Sequence, residues 1–251
     1  MQRRPATNPV PSVRHGVARV LSKSGLCSRT QAAAWVREGR VTVNGRVVRD
    51  PEAPVRVGVD RVAVDGRDLE AARRVYVALN KPRGLVTTAS DEKGRDTVYA
   101  CLADAGLPWL APVGRLDQAS EGLLLMSNDP AWAAAITDPD SGPDKTYHVQ
   151  VDAIPDEALM QQLVAGIVDA GERLSAKSAT LLRSGTRNAW LEIVLDEGRN
   201  RQIRRLLAAH GLGVLRLVRV AIGALALGDL SKGQWRHLTP AEVAGLAPAT
   251  P

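Results

Sequence analysis

The chain has 251 residues, 45% of them apolar and 24% charged, which is enough for one domain of ordinary size and a smaller one. No apolar run approaches the roughly 18–20 residues that a membrane-spanning helix needs, and the N-terminus lacks the apolar stretch of a secretory signal. The net charge of +6 is unevenly placed. Residues 1–75 hold 15 Lys and Arg against 7 Asp and Glu (+8), and the remainder holds 18 against 20 (−2). A basic segment followed by a nearly neutral one is typical of a nucleic-acid-binding module joined to another domain.

The N-terminal part predicts an arm followed by a small basic domain. Residues 1–14 offer little to bury, so we expect a disordered arm. Residues 15–70 predict two short helices, the second with Ser28 as its N-cap, and a β-hairpin that turns at Asn44-Gly45. Basic side chains are spread over these elements at Arg19, Lys23, Arg29, Arg37, Arg40 and Arg46. A solvated basic surface would give the same pattern.

A linker at residues 70–74 leads to a second domain, which we place at residues 75–241, before a tail at 242–251. Its first strand, residues 75–80, is broken by Lys81-Pro82-Arg83-Gly84, because proline and glycine favour a turn.

Short strands and helices alternate through this domain. Alternating apolar residues predict strands at 145–151 and 191–195, and residues 168–188 read as loops with weak strand character. The predicted helices are at residues 96–105, from Asp129-Pro130, and at 155–166, with Leu159, Leu163 and Val164 on the inner face of the last. Tyr147 falls on the buried side of its strand, where core packing is the plainer interpretation.

A polar loop between two glycines, Gly114 and Gly122, holds Asp117 directly before a short buried strand. A carboxylate on such a loop is a candidate reactive group on a rigid support. The residues alone leave open that Asp117 caps a turn and that Arg115 and Glu121 are solvated charges.

Four arginines surround the start of a later helix, which ends at Gly211: Arg199, Arg201, Arg204 and Arg205. Their charges and the helix N-terminus together would attract an anion. A solvated basic face is the alternative that the pattern leaves open.

Residues 18–55 resemble the S4-type RNA-binding domain of ribosomal proteins, above all in Gly25–Arg29, Gly39–Gly45 and Asp50-Pro51. The resemblance implies that the second helix and the following loop face RNA, through the basic residues named above. Such a domain recognises the shape and phosphates of a folded RNA. The expected partner is ribosomal RNA or a ribosomal assembly intermediate.

Gly114-Arg115-Leu116-Asp117, followed by Ser120–Leu125, resembles the catalytic motif of the pseudouridine synthases, in the branch that modifies ribosomal RNA and carries an N-terminal RNA-binding domain. The resemblance implies that Asp117 is the essential catalytic residue. Gln118-Ala119 departs from the family, which more often has an acidic or polar residue followed by Thr or Ser, and this bears on substrate choice.

Three further segments resemble family motifs: Leu79–Gly84, Lys145–Tyr147 and Gly198–Arg205. They imply that Tyr147 lies against the target base and that Arg204 pairs with Asp117. An arginine partner favours the ionised form of a carboxylate that bound RNA would desolvate. We also expect an apolar residue within 224–227 to contact the base. Substrate contacts are expected from the basic residues within these motifs, namely Arg115, Lys81, Arg201 and Lys145.

The resemblance implies an α+β chain in which the small domain precedes a catalytic domain with a mixed, mainly antiparallel sheet flanked by helices. The implied reaction converts one uridine of ribosomal RNA to pseudouridine, with large-subunit RNA favoured and small-subunit RNA open. It needs no cofactor or metal, and the sequence carries no phosphate-cradling loop or metal-ligand cluster. We expect a cytoplasmic monomer in which Cys27 and Cys101 are reduced.

Two other functions fit parts of the sequence. Asp117 and Glu121 would supply the carboxylate pair of a glycosidase or RNA N-glycosylase, which would release free uracil. A non-catalytic ribosome-assembly factor would need the basic domain alone, and the joint presence of Asp117, Tyr147 and Arg204 argues against it.

Overall fold

The computed structural model describes residues 14–70, 72–89, 91 and 93–246. The chain divides into two compact units, Met1–Arg74 together with Pro108–Leu110, and Val75–Leu107 together with Ala111–Pro251. The predicted arm lies outside the described residues, except that Arg14 begins the first strand.

The N-terminal unit contains the two helices and the hairpin that the sequence predicts, with four further strands. Its elements are β1 Arg14–Gly16, α1 Val17–Lys23, α2 Arg29–Arg37, β2 Val41–Val43, β3 Arg46–Val47, β4 Pro54–Arg56, β5 Val62–Val64 and β6 Arg67–Asp68. Strand β1 pairs with β4, and a second sheet has the order β3-β2-β5-β6. The core is formed by small and branched apolar side chains, including Val17, Leu21, Val36, Val41 and Val55.

Local sequence signals explain how this unit forms. The Ser28 Oγ accepts a hydrogen bond from the backbone N–H of Gln31 at 3.0 Å, which caps α2. Asn44 and Gly45 have φ values of 51° and 78°, the left-handed pair that a tight hairpin turn requires. The predicted cap and hairpin are therefore confirmed.

The second unit is built on a large sheet with helices beside it. Its elements are β7 Tyr76–Lys81, a 3₁₀ helix Val98–Leu102, β8 Ala111–Val113, β9 Glu121–Ser127, α3 Pro130–Thr137, β10 Lys145–Val151, α4 Glu157–Ala165, β11 Ile167–Asp169, β12 Glu172–Leu174, β13 Ser178–Ser184, β14 Ala189–Leu195, α5 Gln202–Ala209, β15 Val214–Ile222, β16 Leu225–Ala226, β17 Trp235–His237 and α6 Pro240–Leu246.

The main sheet has the order β13-β14-β10-β15-β9-β7-β17, with β16 paired to β15 and β8 to β9. Of these pairings, β15 with β9 is parallel and the others are antiparallel, so the predicted mixed, mainly antiparallel sheet is confirmed. All seven residues of β9 are buried, which places the candidate loop at the entry to a strand with no exposed face.

Four sequence predictions need correction. Residues 96–105 form only a short 3₁₀ helix, and residues 168–188 contain the hairpin β11–β12 and the edge strand β13. The inner face of α4 is formed by Met160 and Leu163, whereas Val164 is exposed. The predicted boundary between the second domain and the tail, after residue 241, is too early. Helix α6 runs to Leu246, which is buried in the core, and the Trp132 indole N–H donates to the Val243 carbonyl at 3.1 Å. Residues 247–251 lie outside the described part of the chain.

A close approach of two backbones explains the glycine at the start of β9. Gly122 has φ +101°, and a Cβ added there would collide with the carbonyl oxygen of Arg219 and lie 2.8 Å from its nitrogen. Gly122 and Arg219 are register partners in the parallel pair β9–β15. Only glycine lets these strands meet at this point.

We therefore expect Gly122→Ala to destabilise the chain by about 3 kcal/mol or more, because it adds a steric collision to the unfavourable φ. Gly233→Ala is the matched control: Gly233 has φ +77° and nothing within 4 Å of the added Cβ, so it should cost about 1 kcal/mol. Urea unfolding of both variants measures the difference. Equal losses would contradict the close approach.

Candidate active site

The second unit contains a cavity of about 520 Å³ beside the loop that carries Asp117. Its walls come from residues 113–120, the start of β10, residues 195–204 and strand β15. This is the size of a small-molecule site and is large enough for a single nucleotide base. Six of the seven predicted catalytic and substrate-binding residues line it, all except Lys81: Arg115, Asp117, Lys145, Tyr147, Arg201 and Arg204.

The loop carrying Asp117 is held from behind by a buried lysine. Lys81 is 0% exposed, and its Nζ donates hydrogen bonds to the carbonyls of Pro82, Asp117 and Ser120 at 3.1, 3.2 and 2.8 Å. The predicted substrate contact by Lys81 is therefore wrong, because a fully buried ammonium with three carbonyl partners faces the protein. Lys81 instead fixes the loop backbone at Asp117 itself and at Ser120, three residues later.

Two more side chains hold the same loop. Thr87 Oγ1 donates to the Leu116 carbonyl at 2.7 Å and accepts from the Leu116 N–H at 3.3 Å. Gln118 Nε2 donates to the Gly84 carbonyl at 3.0 Å, and the Gly84 N–H donates to the Gln118 carbonyl at 2.8 Å. The Lys-Pro-Arg-Gly turn is thus a support for the loop.

The arginine that contacts Asp117 is Arg201. Its Nη1 lies 3.5 Å from Asp117 Oδ2, and Arg201 takes the left-handed conformation, φ 50°, at the N-cap of α5. The direct pair expected between Arg204 and Asp117 is not formed: Arg204 Nη2 donates to the Ala119 carbonyl at 3.2 Å. Burial, followed by the positive charge of Arg201, lowers the pKa of Arg204, and the charge of Asp117 acts in the opposite direction.

The other two arginines at this helix, Arg199 and Arg205, bind carboxylates other than Asp117. Arg205 donates to Asp169 Oδ2 at 2.6 Å and to Glu172 Oε2 at 2.7 Å, which ties α5 to the hairpin β11–β12. Arg199 Nε donates to Glu197 Oε2 at 2.7 Å. Carboxylates of the hairpin and Glu197 therefore neutralise Arg205 and Arg199, whereas Arg201 and Arg204 face the Asp117 loop.

Two other carboxylates, Glu197 and Glu121, are both engaged by cationic or amide side chains. Glu197 lines the cavity, but its Oε1 accepts from Gln202 Nε2 at 2.7 Å in addition to the Arg199 contact. Glu121 does not line the cavity; it accepts hydrogen bonds from Arg216 and Lys232. Burial would raise the pKa of Glu121, but those hydrogen bonds and charges lower it.

Tyr147 and the apolar residues near it form a wall of the cavity. Tyr147 is 8% exposed on β10, and Leu195, Leu217 and Ile222 also line the space. Residues 224–227, all of them described, do not line it, so the expected base contact there is wrong. The reason is that Leu225 packs into the core with α3 and α6.

Basic residues complete the cavity. Arg115 is exposed, and Lys145 is half-buried, with its pKa lowered by burial and by the charge of Arg219. The sequence analysis missed Arg219, which is 5% exposed and lines the cavity as the register partner of Tyr147. The signal for it was an arginine sharing the buried face of β15 with Leu217.

All six basic residues predicted to contact RNA in the N-terminal unit are exposed. Arg29 pairs with Glu52 at 3.0 Å, and Arg40 pairs with Asp65 at 2.6 Å while its guanidinium stacks 5.1 Å from the Trp35 ring centre. Arg19, Lys23, Arg37 and Arg46 extend from the helices and hairpin.

Within the described ranges, no group of three or more His, Cys, Asp or Glu side chains is arranged to hold a metal ion. The same part of the chain has no helix long and apolar enough to cross a membrane.

Comparison with known proteins places this site in a family context. Residues 75–209 match the profile described as RNA pseudouridylate synthase, and residues 17–60 match the S4 domain. The chain is 37% identical to ribosomal large subunit pseudouridine synthase B of Bacillus subtilis, over 90% of this chain and 92% of the relative. It is 39% identical to a protein of Mycobacterium tuberculosis named as an uncharacterized RNA pseudouridine synthase, over 91% of each chain. A crystal structure of a pseudouridylate synthase superimposes with a TM-score of 0.63 at 29% identity, covering 93% of this chain and 100% of the other.

The buried Lys81 gives a testable pH dependence of stability. Burial lowers its pKa from 10.5 to about 8, although the charges of Asp117 and Glu121 oppose the shift. Between these values the unfolded chain holds a proton that the folded chain has lost, so this group makes the free energy of unfolding rise with pH.

We expect the wild type to gain roughly 2 kcal/mol in free energy of unfolding relative to Lys81→Met when the pH is raised from 8 to 10. Urea titrations of both proteins at each pH measure it, and the other titratable groups cancel in the difference. A difference that stays flat over this window would show that the ammonium is not desolvated.

Proposed function

Because this chain belongs to the RNA pseudouridylate synthase family and carries an S4 domain, we propose that it isomerises one uridine of large-subunit ribosomal RNA to pseudouridine, with Asp117 as the essential catalytic group. The family makes the chain an RNA-modifying isomerase. The choice of large-subunit RNA rests on the name of the Bacillus subtilis relative. We expect the chain to act as a monomer on ribosomal RNA or an assembly intermediate.

The observation that carries the proposal is the setting of the Asp117 carboxylate. It lines a cavity large enough for a base, it pairs with Arg201 at 3.5 Å, and its backbone carbonyl is bound by Lys81. Because Glu197 is engaged with Arg199 and Gln202, Asp117 is the lining carboxylate left for chemistry. A rigid loop with a charged group and cationic neighbours is the preorganised arrangement that catalysis requires.

The chemistry suits such a site. The bond between N1 of uracil and C1′ of ribose breaks, the base turns, C5 bonds to C1′, the C5 hydrogen leaves as a proton, and N1 gains a proton. Nothing is oxidised or reduced, so we propose that no cofactor takes part. Asp117 must be ionised to attack C1′, to remove a proton, or to stabilise positive charge at C1′.

A base stacked in RNA has to be flipped out before it can enter the cavity. We propose that Tyr147 stacks on the flipped base and that Leu217 and Ile222 supply apolar contact. Arg115, Arg201 and Lys145 lie around the same cavity and suit the phosphates beside the flipped nucleotide. The exposed basic residues of the N-terminal unit would bind the RNA backbone, with most of the affinity electrostatic.

The carboxylate-pair alternative has less support, because Glu121 is buried, forms ion pairs with Arg216 and Lys232, and does not line the cavity. An N-glycosylase would release uracil and leave an abasic site, whereas the isomerase leaves the mass of the RNA unchanged.

The proposal is tested by mapping carbodiimide-dependent reverse-transcription stops across ribosomal RNA from cells with and without this protein. We expect one large-subunit stop to disappear without it and to return with the wild-type chain but not with Asp117→Asn. Asp104→Asn, at an exposed position away from the cavity, is the matched control and should restore the stop. Restoration by Asp117→Asn, or abasic sites in place of a stop, would refute the assignment.

The contact between Arg204 and the Ala119 carbonyl predicts a second effect. Arg204→Gln should lower kcat by roughly tenfold to a hundredfold, because it removes a cation that positions the catalytic loop and stabilises charge in the cavity. RNA binding, measured on filters, should change little since the N-terminal unit is intact. Arg173→Gln, on the hairpin, serves as a control. Wild-type turnover by Arg204→Gln would count against this role.

A further inference from the structure

Unpaired hydrogen-bond donors converge on the cavity. Four buried side-chain polar atoms have no hydrogen-bond partner among the described residues: Ser120 Oγ, Arg204 Nε, His210 Nε2 and Arg219 Nη2. The residues of three of them, Ser120, Arg204 and Arg219, line this one cavity. A buried donor without an acceptor is unfavourable, so this concentration indicates a site shaped for a ligand rich in acceptor oxygens.

Arg219 is the most constrained of the three. It is 5% exposed, its Nε donates to the Leu123 carbonyl at 2.7 Å, and its backbone is locked between Gly122 and Tyr147 in the sheet. The guanidinium is therefore fixed beside the aromatic ring proposed to stack on the base. Its carbonyl bond occupies one edge of the guanidinium, and Nη2 remains unpaired.

We propose that Arg219 is a specificity residue, which donates a hydrogen bond from Nη2 to the C4 carbonyl of the flipped uracil. The proposal rests on the proposed function, since it deepens the description of the same site. A guanidinium can only donate hydrogen bonds. At position 4 it meets the carbonyl acceptor of uracil but would oppose the 4-amino group of cytosine, so it would select uridine over cytidine.

The symmetry of uracil makes a fixed donor compatible with the reaction. Turning the ring by half a turn about the axis through N3 and C6 exchanges N1 with C5 and also exchanges the two carbonyl groups. A donor that holds one carbonyl of the substrate base therefore meets the other carbonyl after rotation. Arg219 would bind uridine and pseudouridine in the same place without moving.

The test compares the binding of uridine 5′-monophosphate and cytidine 5′-monophosphate to the full chain, by calorimetry or ligand-observed NMR. The two nucleotides share sugar and phosphate, so the ratio of their affinities isolates the base. We expect the wild type to prefer the uridine nucleotide by about tenfold or more. Arg219→Met should remove most of this preference, and Arg219→Lys, which keeps the charge, should retain part of it. Arg183→Gln, on the exposed edge strand, is the control and should keep the wild-type ratio.

The ratio separates recognition from a merely structural role, which would lower stability and leave the ratio unchanged. If Arg219→Met does not fold, Arg219→Lys alone carries the comparison. A wild-type ratio in the folded Arg219 variants overturns the proposal, as does a wild-type chain without a uridine preference, including one that binds neither nucleotide. A chain with the preference that nevertheless forms no pseudouridine would remove the proposed function and leave this inference standing.

Discussion

The ammonium group of Lys81 donates to three backbone carbonyls, two of which, those of Asp117 and Ser120, belong to the loop at the entry to β9. Burying a charge is unfavourable unless hydrogen bonds replace its hydration, and here each of the three N–H bonds finds an acceptor. The contact ties strand β7 to a loop more than thirty residues later in the chain. It fixes the position of Asp117 while leaving the carboxylate free to face the cavity.

The rest of the site follows from this fixed loop. Gly122 lets β15 approach β9, and β15 in turn places Arg219 in the cavity wall beside Tyr147, its register partner on β10. On the other side, Asp169 and Glu172 bind Arg205 and so set the position of α5. Arg201 and Arg204 are then presented to the loop from the first turn of that helix. Charge is thus distributed so that the cavity stays cationic around one available carboxylate.

Local signals were enough to predict much of the fold. The Ser28 cap, the Asn44-Gly45 turn and the alternation of residues 145–151 each specify their element through contacts between near neighbours. The hairpin β11–β12 escaped prediction because its turn places Ala170, with φ 50°, where glycine or asparagine would have been the signal. Strand β13 was missed because it is an edge strand with mostly exposed residues, so its pattern is weakly amphipathic.

The site could be predicted in outline but not in its contacts. The motifs brought Asp117, Tyr147, Arg201 and Arg204 to one cavity, yet which arginine touches Asp117 depends on the left-handed backbone at Arg201. A lysine in a basic turn is usually solvated, so the sequence did not predict that Lys81 is buried. Its burial depends on carbonyl groups of residues that lie far away in the chain. The alternation of β15 could have placed Arg219 on the face of Leu217, but its position beside Tyr147 depends on the sheet register, which the sequence alone does not reveal.

The most direct test of the central claim is tritium release from RNA labelled at C5 of uridine. Isomerisation with Asp117 as the proposed catalytic group would replace the C5–H bond with a bond to ribose, so the wild type should release tritium to water, up to one equivalent per target site, with no loss of base. The Asp117→Asn chain should release none. Tritium retained on free uracil, or release by Asp117→Asn at the wild-type rate, would contradict the account.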